Sequence, residues 1–329
     1  MRQAAALPTL AVLMVGALAL LALGASVGSE GWQPLWHATD SAAQAILWDI
    51  RLPRTAGAWL AGALLGLAGA VAQGLFRNPL ADPYLLGSAS GAALGVALAL
   101  VAAGLSPLAA TGWLAQGGLT VCAFLGATAA VLTTIALARG VQQTLRLLLA
   151  GVVVAMVAAA MASFVMFEVP EILRSLQSFM LGTTSFMAPA GVGLMGAVLL
   201  VALTSATMAA RTLDALSLGE TAAASLGVPL RGHRAWLVAT LALATGAAVA
   251  QVGLVAFIGL VAPHLARALV RTTHRWALPL SAAVGGLLLA GADVLARWVL
   301  APREVPVGIL TAVLGGGYLI VLMNRRSPR

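Results

Sequence analysis

The sequence predicts an all-α integral membrane protein with about ten transmembrane helices, in a single domain over residues 1–329. Three observations support this prediction. Hydrophobic residues make up 61% of the chain, and its mean hydropathy is +1.01. Charged residues make up 9%, whereas a soluble domain commonly uses about 25%. Apolar runs near the roughly 20 residues that a helix needs to cross a bilayer follow one another along the sequence.

The apolar runs give the predicted helices in order. They lie at residues 8–27, 56–75, 85–104, 113–138, 147–166, 189–209, 235–252, 254–266, 277–297 and 307–323. The seventh and eighth share one apolar stretch, in which Gly253 and Gly259 must provide a tight reversal, so nine spans is the alternative count. Arg2 and the small residues 24–26 also fit a signal peptide, but nine further runs favour an uncleaved first helix.

Arginine placement predicts the orientation, because positive residues concentrate on the cytoplasmic side of membrane proteins. All 18 basic residues are arginine. With the N-terminus inside, the inside segments hold Arg2, Arg77, Arg139, Arg146, Arg211, Arg231, Arg234, Arg267, Arg271, Arg275, Arg325, Arg326 and Arg329, and the outside segments hold Arg51, Arg54, Arg174, Arg297 and Arg303. Both termini are therefore predicted to be cytoplasmic. Nine spans would place the last arginines outside, against this bias.

Composition excludes several classes of site. Without lysine, the chain cannot carry a GxxxxGK[ST] phosphate-binding loop, so we expect no nucleotide-hydrolysing site and no bound cofactor in this chain. The single cysteine, Cys122, cannot form an intrachain disulfide. The histidines, none of which has a second ligand at metal-binding spacing, are His37, His233, His264 and His274. We expect no catalytic residues, and His264 is interpreted as structural.

Glycine spacing predicts close helix packing. Gly62 and Gly66 form one GxxxG pattern, and Gly87, Gly91 and Gly95 form a tandem one. Such faces let helix backbones approach closely in lipid. Packing within one subunit and a dimer interface both explain these patterns.

A faint internal repeat suggests two halves. Residues 70–73, AVAQ, recur as residues 248–251, five predicted spans later. Five-span halves, about 1–170 and 171–329, would have opposite membrane orientation, as in inverted-repeat transporters. In so alanine-rich a chain, chance also explains a four-residue match.

Three inside loops stand out, the third of which follows residues 259–267. The first is "RNPLADP", residues 77–83, whose Asn-Pro and Asp-Pro steps fix turns. The second contains a short helix over residues 217–227. Its Ser217 and Glu220 fit a capping box, Gly227 fits a left-handed cap, and Pro229 prevents continuation. The small residues between them suit the groove of another protein, while a connecting helix on the membrane surface is the alternative.

Several motifs together resemble one family. They are "RLPR" at 51–54, "RNPLADP" at 77–83, "LGSASGA" at 86–92, "GLVAPHLAR" at 259–267, "GADVLAR" at 291–297 and "EVPVGILTAVLGG" at 304–316. In this order they resemble the permease subunit of the ABC importers for cobalamin, iron–siderophores and haem. The resemblance covers most of the chain. It departs at residues 179–186, "FMLGTTSF", where the family usually has a tryptophan-containing stretch.

The resemblance implies a fold and partners. It implies ten spans per subunit, a homodimeric pore in a bacterial inner membrane, two cytoplasmic ATPase subunits that bind ATP and Mg, and a periplasmic binding protein. The implied ATPase contacts are Arg77, Asn78, Pro79, Asp82, Ser217, Leu218, Gly219, Glu220, Thr221, Ala222, Ala223, Ala224, Ser225, Leu226 and Gly227. Arg51, Arg54 and Arg297 are implied to meet acidic residues of the binding protein. Pairing of Arg297 with Asp293, four residues earlier, is the alternative.

Three ligand classes stay open: haem is the first choice, siderophores are the second and cobalamin is the third. Arg174 lies in an outside segment near the predicted pore mouth, where two copies would face the two propionates of haem. Pairing of Arg174 with Glu171 or Glu168 is the alternative. An ion-coupled secondary transporter is a rival class, but such proteins usually carry mid-membrane ionisable residues, and only Asp293 is a candidate here.

Overall fold

The computed structural model describes residues 5–28, 31–32, 40–103, 113–138, 140, 144–227 and 229–324. The helices are α1 (Ala6–Ser26), α2 (Ser41–Ala45), α3 (Leu52–Phe76), α4 (Ser88–Ala102), α5 (Trp113–Leu137), α6 (Thr144–Glu168), α7 (Leu173–Leu181), α8 (Pro189–Met208), α9 (Ala210–Ser217), α10 (Glu220–Ser225), α11 (Leu230–Val252), α12 (Ile258–Leu269), α13 (His274–Trp298) and α14 (Val307–Asn324). Residues Arg2, His37, Arg139, Arg325, Arg326 and Arg329 lie outside the described part.

Short elements join these helices. A π-helical turn, Ile46–Arg51, connects α2 to α3, and 3₁₀ helices cover Pro83–Leu86 and Pro170–Ile172. Strand β1 (Val27–Gly28) pairs antiparallel with β2 (Gly31–Trp32), with Val27 opposite Trp32. The chain is therefore almost entirely helical within its described residues.

Each of the ten predicted apolar runs contains one helix. In the described part, seven helical segments are long and apolar enough to cross a membrane, while α4, α12 and the apolar part of α14 are shorter. The all-α membrane class is confirmed, and the crossing of all ten helices stays a prediction. The inverted halves also stay a prediction.

The reversal between α11 and α12 differs in part from the prediction. Gly253 has a positive φ of 71°, as a tight turn requires. The second positive φ belongs to Phe257, at 68°. Gly259 lies inside α12, where it packs against α3, so its predicted role in the turn was wrong.

Helix α3 lies at the centre of the bundle, with α8, α11, α12 and α13 around it. In the most apolar 18 residues of the segment that contains α3, 83% are buried, against 22% in α6. Helix α6 therefore lies at the periphery of the bundle, on the side that faces lipid. A Cβ on Gly62 would lie 2.3 Å from the carbonyl oxygen of Gly285, in α13. A Cβ on Gly91 would lie 2.4 Å from the carbonyl oxygen of Gly126, in α5. Packing within the subunit therefore accounts for these glycines.

Candidate functional site

The loop of residues 77–83 is a hydrogen-bonded turn, in which residues 77–80 are exposed and Ala81 and Pro83 are buried. Helix α3 ends where Arg77 adopts a left-handed φ of 50°. The backbone N–H of Leu80 donates to Oδ1 of Asn78 at 2.9 Å, and the N–H of Tyr84 donates to Oδ1 of Asp82 at 2.8 Å. Burial raises the pKa of the Asp82 carboxyl, and the hydrogen bond from Tyr84 opposes this. Leu80, at the tip, is 57% exposed.

The predicted capping box of the second loop was wrong. Ser217 is the last residue of α9, and its Oγ donates to the carbonyl oxygen of Asp214 at 2.6 Å. Helix α10 is shorter than predicted, and Gly219, with a φ of 110°, is its N-cap. Gly227 has the predicted positive φ, at 74°. The Glu220 side chain does not cap α10 but points to other segments.

Helix α10 has one buried and one open face. Ala223 is fully buried, whereas Thr221, Ala224 and Ser225 are exposed. Leu218 and Leu226, just outside the helix, are 69% and 64% exposed. A groove-forming partner would therefore meet a small-residue face flanked by two exposed leucines. Ala223, in the middle of the predicted contact, faces the bundle instead.

The fold brings these loops to one end of the bundle, which we call the inner end after its predicted orientation and define as the described residues of 77–83, 209–230 and 270–274. Nη2 of Arg77 lies 3.9 Å from Oε1 of Glu220. Oδ1 of Asp214, in α9, accepts the backbone N–H of His274 at 3.0 Å and lies 2.6 Å from its Nδ1. The inner end is thus one connected surface.

The opposite, outer end comprises residues 27–54, 168–188 and 298–306 in their described part. Arg51, Arg54 and Arg297, expected as exposed docking residues, are at most 8% exposed here. Nε of Arg54 donates to Asp293 at 3.1 Å, and its Nη1 donates to both oxygens of Glu304 at 2.9 and 2.8 Å. The expectation of exposed guanidiniums was therefore wrong, because internal carboxylates hold Arg54 and Arg297. Nη1 of Arg51 donates to the carbonyl oxygen of Ala25 at 3.3 Å.

Arg297 is the most deeply buried of the three, at 1% exposure. It pairs with Asp293, as the alternative interpretation had it, and donates to Thr55 at 2.8 Å. Its Nη1 also donates to the carbonyl oxygen of Gly24, at the end of α1, at 2.9 Å. Arg297 therefore connects α1, α3 and α13. Docking of the binding protein by these arginines stays a prediction.

Sequence reasoning missed two hydroxyl residues of this network. Thr184 donates to Asp293, and Ser185 donates to Glu304 at 3.1 Å. Both belong to the stretch 179–186 that departs from the family pattern. That departure was the only signal in the sequence that could have pointed to them.

Arg174 lies on the first turn of α7 and is exposed. Ile172 and Leu176 bury the opposite side of this segment. No ion pair joins Arg174 to Glu168 or Glu171, all of which are described. The guanidinium is therefore open to solvent in this chain, and the predicted intrachain alternative is not formed.

The histidines lie in structural settings where they are described. His264 packs edge-on against Tyr318, with ring centroids 5.8 Å apart. Within the described residues, no group of three or more His, Cys, Asp or Glu side chains could hold a metal ion. Most of the charged side chains described above at the inner and outer ends form ion pairs and hydrogen bonds.

Sequence comparison matches nearly the whole chain to one family. The profile of the FecCD transport family matches residues 9–325. The hemin transport system permease protein HmuU of Yersinia pestis is 39% identical, over 95% of this chain and 94% of that protein. The vitamin B12 import system permease protein BtuC of Klebsiella pneumoniae is 38% identical, over 91% of this chain and 88% of that protein.

Solved structures agree with this match. An inward-facing conformation of a metal-chelate type ABC transporter superposes with a TM-score of 0.83 and 28% identity, over 95% of this chain and 98% of that one. PsaBC from Streptococcus pneumoniae shares the fold at a TM-score of 0.54 and 18% identity, over 80% of this chain and 89% of that one.

Proposed function

Since the chain belongs to the FecCD transport family and is the permease of an ABC importer, we propose that it moves haem, or a related iron chelate, from periplasm to cytoplasm. Two copies form the pore, and the pore alternates between outward-open and inward-open states. A ferric siderophore or cobalamin is the second candidate ligand, since the haemin and vitamin B12 relatives are similar at 39% and 38%.

The observation that favours haem is the open guanidinium of Arg174. Two copies across a dimer axis present two planar donors, which suit the two propionates of haem through paired hydrogen bonds. A charge-assisted hydrogen bond contributes about 1.5–3 kcal/mol. Loss of one such contact per subunit therefore lowers haem uptake by about tenfold or more.

The inner end supports a cytoplasmic partner. Two ATPase subunits seat on the open face of α10 and on the exposed tip of the 77–83 loop, and they bind the ATP and Mg that this chain does not. A periplasmic binding protein delivers the ligand at the outer end. There, the buried Arg54 pairs with Glu304 on the exposed rim, so separation of this pair would present the Arg54 guanidinium to the binding protein.

The ligand assay uses proteoliposomes that contain the permease, its ATPase and its binding protein. We expect ATP-dependent haem uptake faster than that of a ferric siderophore or cobalamin. Arg174→Ala should reduce haem uptake about tenfold and Arg174→Lys should restore part of it. Arg303→Ala, which removes another exposed outer arginine, is the matched control and should have no effect.

Two results would overturn parts of this proposal. Wild-type haem uptake by the Arg174→Ala importer would remove the residue-level support for haem. Uptake that follows a proton or sodium gradient without ATP would replace the importer with an ion-coupled transporter.

The docking assay probes the open face of α10. Ala224→Arg should abolish copurification of the ATPase, because the long side chain projects from the exposed face. Ala42→Arg, at an exposed alanine of the outer end, is the control and should leave copurification unchanged. Ala223→Arg is unsuitable, because it would bury a charge and disturb folding. Normal copurification with Ala224→Arg would contradict the docking site.

A further inference from the structure

One carboxylate of the inner end contacts three other segments. Glu220 is the first residue of α10. Its Oε1 lies 2.7 Å from Nη2 of Arg234, in α11, and 3.9 Å from Nη2 of Arg77, at the end of α3. The same oxygen accepts a hydrogen bond of 3.5 Å from Oγ1 of Thr144, the first residue of α6. Helix α10 is thereby connected at its first residue to α3, α6 and α11.

The three contacts of Glu220 differ in strength because they differ in burial. The Arg234 side chain is only 5% exposed, and an arginine stays charged at any physiological pH. A buried charge needs a partner, so separating this pair is costly. The Arg77 side chain is 45% exposed, and its more distant contact is weakened by solvent. The ion pair with Arg234 is therefore the strongest of the three contacts, although the Glu220 side chain itself is 41% exposed.

Helix α10 has few other attachments. Six residues are too few to form a stable helix in isolation. Ala223, one turn after Glu220, packs into the core. Gly219 and Gly227 border the helix, and both have positive φ. The position of α10 relative to the bundle thus depends mainly on Glu220 and Ala223, with a permissive backbone on either side.

We propose that Glu220 is the positioning residue that transmits movement of α10 to α11 and, through Thr144, to α6. This inference rests on the proposed function, because it requires an ATPase subunit on the open face of α10. Helix α11 packs against the central α3, whereas α6 is largely uncovered in this chain. A shift of α10 would therefore reach both a central and a peripheral helix through one side chain.

The test separates ATPase docking from coupling. The complete importer is reconstituted in proteoliposomes, and two quantities are measured: copurification of the ATPase, and stimulation of ATP hydrolysis by the binding protein. Glu220→Gln keeps an acceptor oxygen but removes the charge. It should leave copurification unchanged and reduce stimulation roughly fivefold or more. Thr133→Ala, at an exposed threonine of α5 outside both ends, is the control and should leave both quantities unchanged.

A charge exchange tests the pair itself. Glu220→Arg and Arg234→Glu should each reduce stimulation, and the double variant should recover a substantial part of it. A purely local structural role for either residue would not give this mutual rescue. Melting temperatures of all variants are recorded, and Glu220→Gln, as the mildest change, remains informative if the single reversals fail to fold.

The outcomes distinguish this inference from the function on which it rests. Wild-type stimulation in Glu220→Gln, or no recovery in the double variant, overturns the positioning role alone. Loss of ATPase copurification in Glu220→Gln also overturns it, because the residue would then act in docking. Absence of ATPase binding by the wild-type chain overturns the proposed function itself.

Discussion

The contact between α3 and α12 gives the sharpest stability prediction. A Cβ on Gly69 would lie 1.7 Å from the carbonyl oxygen of Gly259 and 2.5 Å from its carbonyl carbon. Both obstructing atoms belong to the backbone, so no side-chain rotation relieves the overlap. Gly69→Ala must push α12 away until the distance reaches at least 3.0 Å.

The expected magnitude follows from two opposing effects. Alanine favours a helix over glycine by about 1 kcal/mol. Overpacking a tight interior costs about 1–3 kcal/mol and sometimes more, and a backbone overlap this severe lies at or above the upper end. Gly69→Ala should therefore lower the free energy of unfolding by about 2 kcal/mol or more.

The matched control is Gly193→Ala in α8. Gly193 is exposed, and a Cβ there would meet no atom within 4 Å. This variant should gain up to about 1 kcal/mol from helix propensity alone. Reversible unfolding in mixed detergent micelles measures both variants, which should differ by about 3 kcal/mol. Equal stability of Gly69→Ala and wild type would refute the packing argument.

Three further predictions concern carboxyl groups. Because the folded-state pKa of Asp82 is raised above its ordinary 3.8, its contribution to stability is present below that value and is lost as pH rises through the folded pKa. Asp82→Asn keeps an acceptor for Tyr84, so its stability relative to wild type should increase from pH 4 to pH 7 in unfolding experiments. Glu304→Gln should free Arg54 and tighten binding-protein association, most clearly at low salt in titrations. Asp293→Asn leaves the buried Arg297 without its carboxylate partner and should cost about 3–5 kcal/mol, seen as a lower melting temperature.

Each of these predictions has a contradicting result. A constant stability difference across pH would show that Asp82 gains no proton affinity on folding. Unchanged affinity of Glu304→Gln would remove Arg54 from docking. Melting of Asp293→Asn at the wild-type temperature would show that other groups neutralise the buried arginines.

The helices themselves were predictable because apolar length is a local property of the sequence. Every predicted run contains a helix, although several boundaries differ. The role of Gly259 was not predictable from its own segment. Glycine suits both a turn and a close helix contact, and only the approach of Gly69 in a distant helix decides between them.

The capping box shows the same limit at the inner end. Ser217 and Glu220 have the spacing of a capping box, but α9 continues through Ser217 and uses its hydroxyl within the helix. The true partner of Glu220 is Arg234, in the next long helix. Local spacing could not reveal that a buried arginine competes for the carboxylate.

The arginines of the outer end were singled out from their sequence motifs, but the expectation that they are exposed was wrong. Arg54 is held by Asp293 and Glu304, which lie more than two hundred residues beyond it in sequence. The adjacent motif residues carry no sign of this pairing. In the sequence, only the i, i+4 spacing of Asp293 and Arg297 indicated an internal ion pair, and this pair is formed.

The network around Arg54 has a consequence for biogenesis. Asp293 follows Arg54 by 239 residues, so at roughly 5–20 residues per second its carboxylate emerges from the ribosome about 12–50 s later. During that interval the nascent chain holds α3 with a guanidinium that lacks its final acceptor and with a glycine face that α13 has yet to cover. The central helix of the bundle is thus among the first to be made and among the last to reach its final contacts.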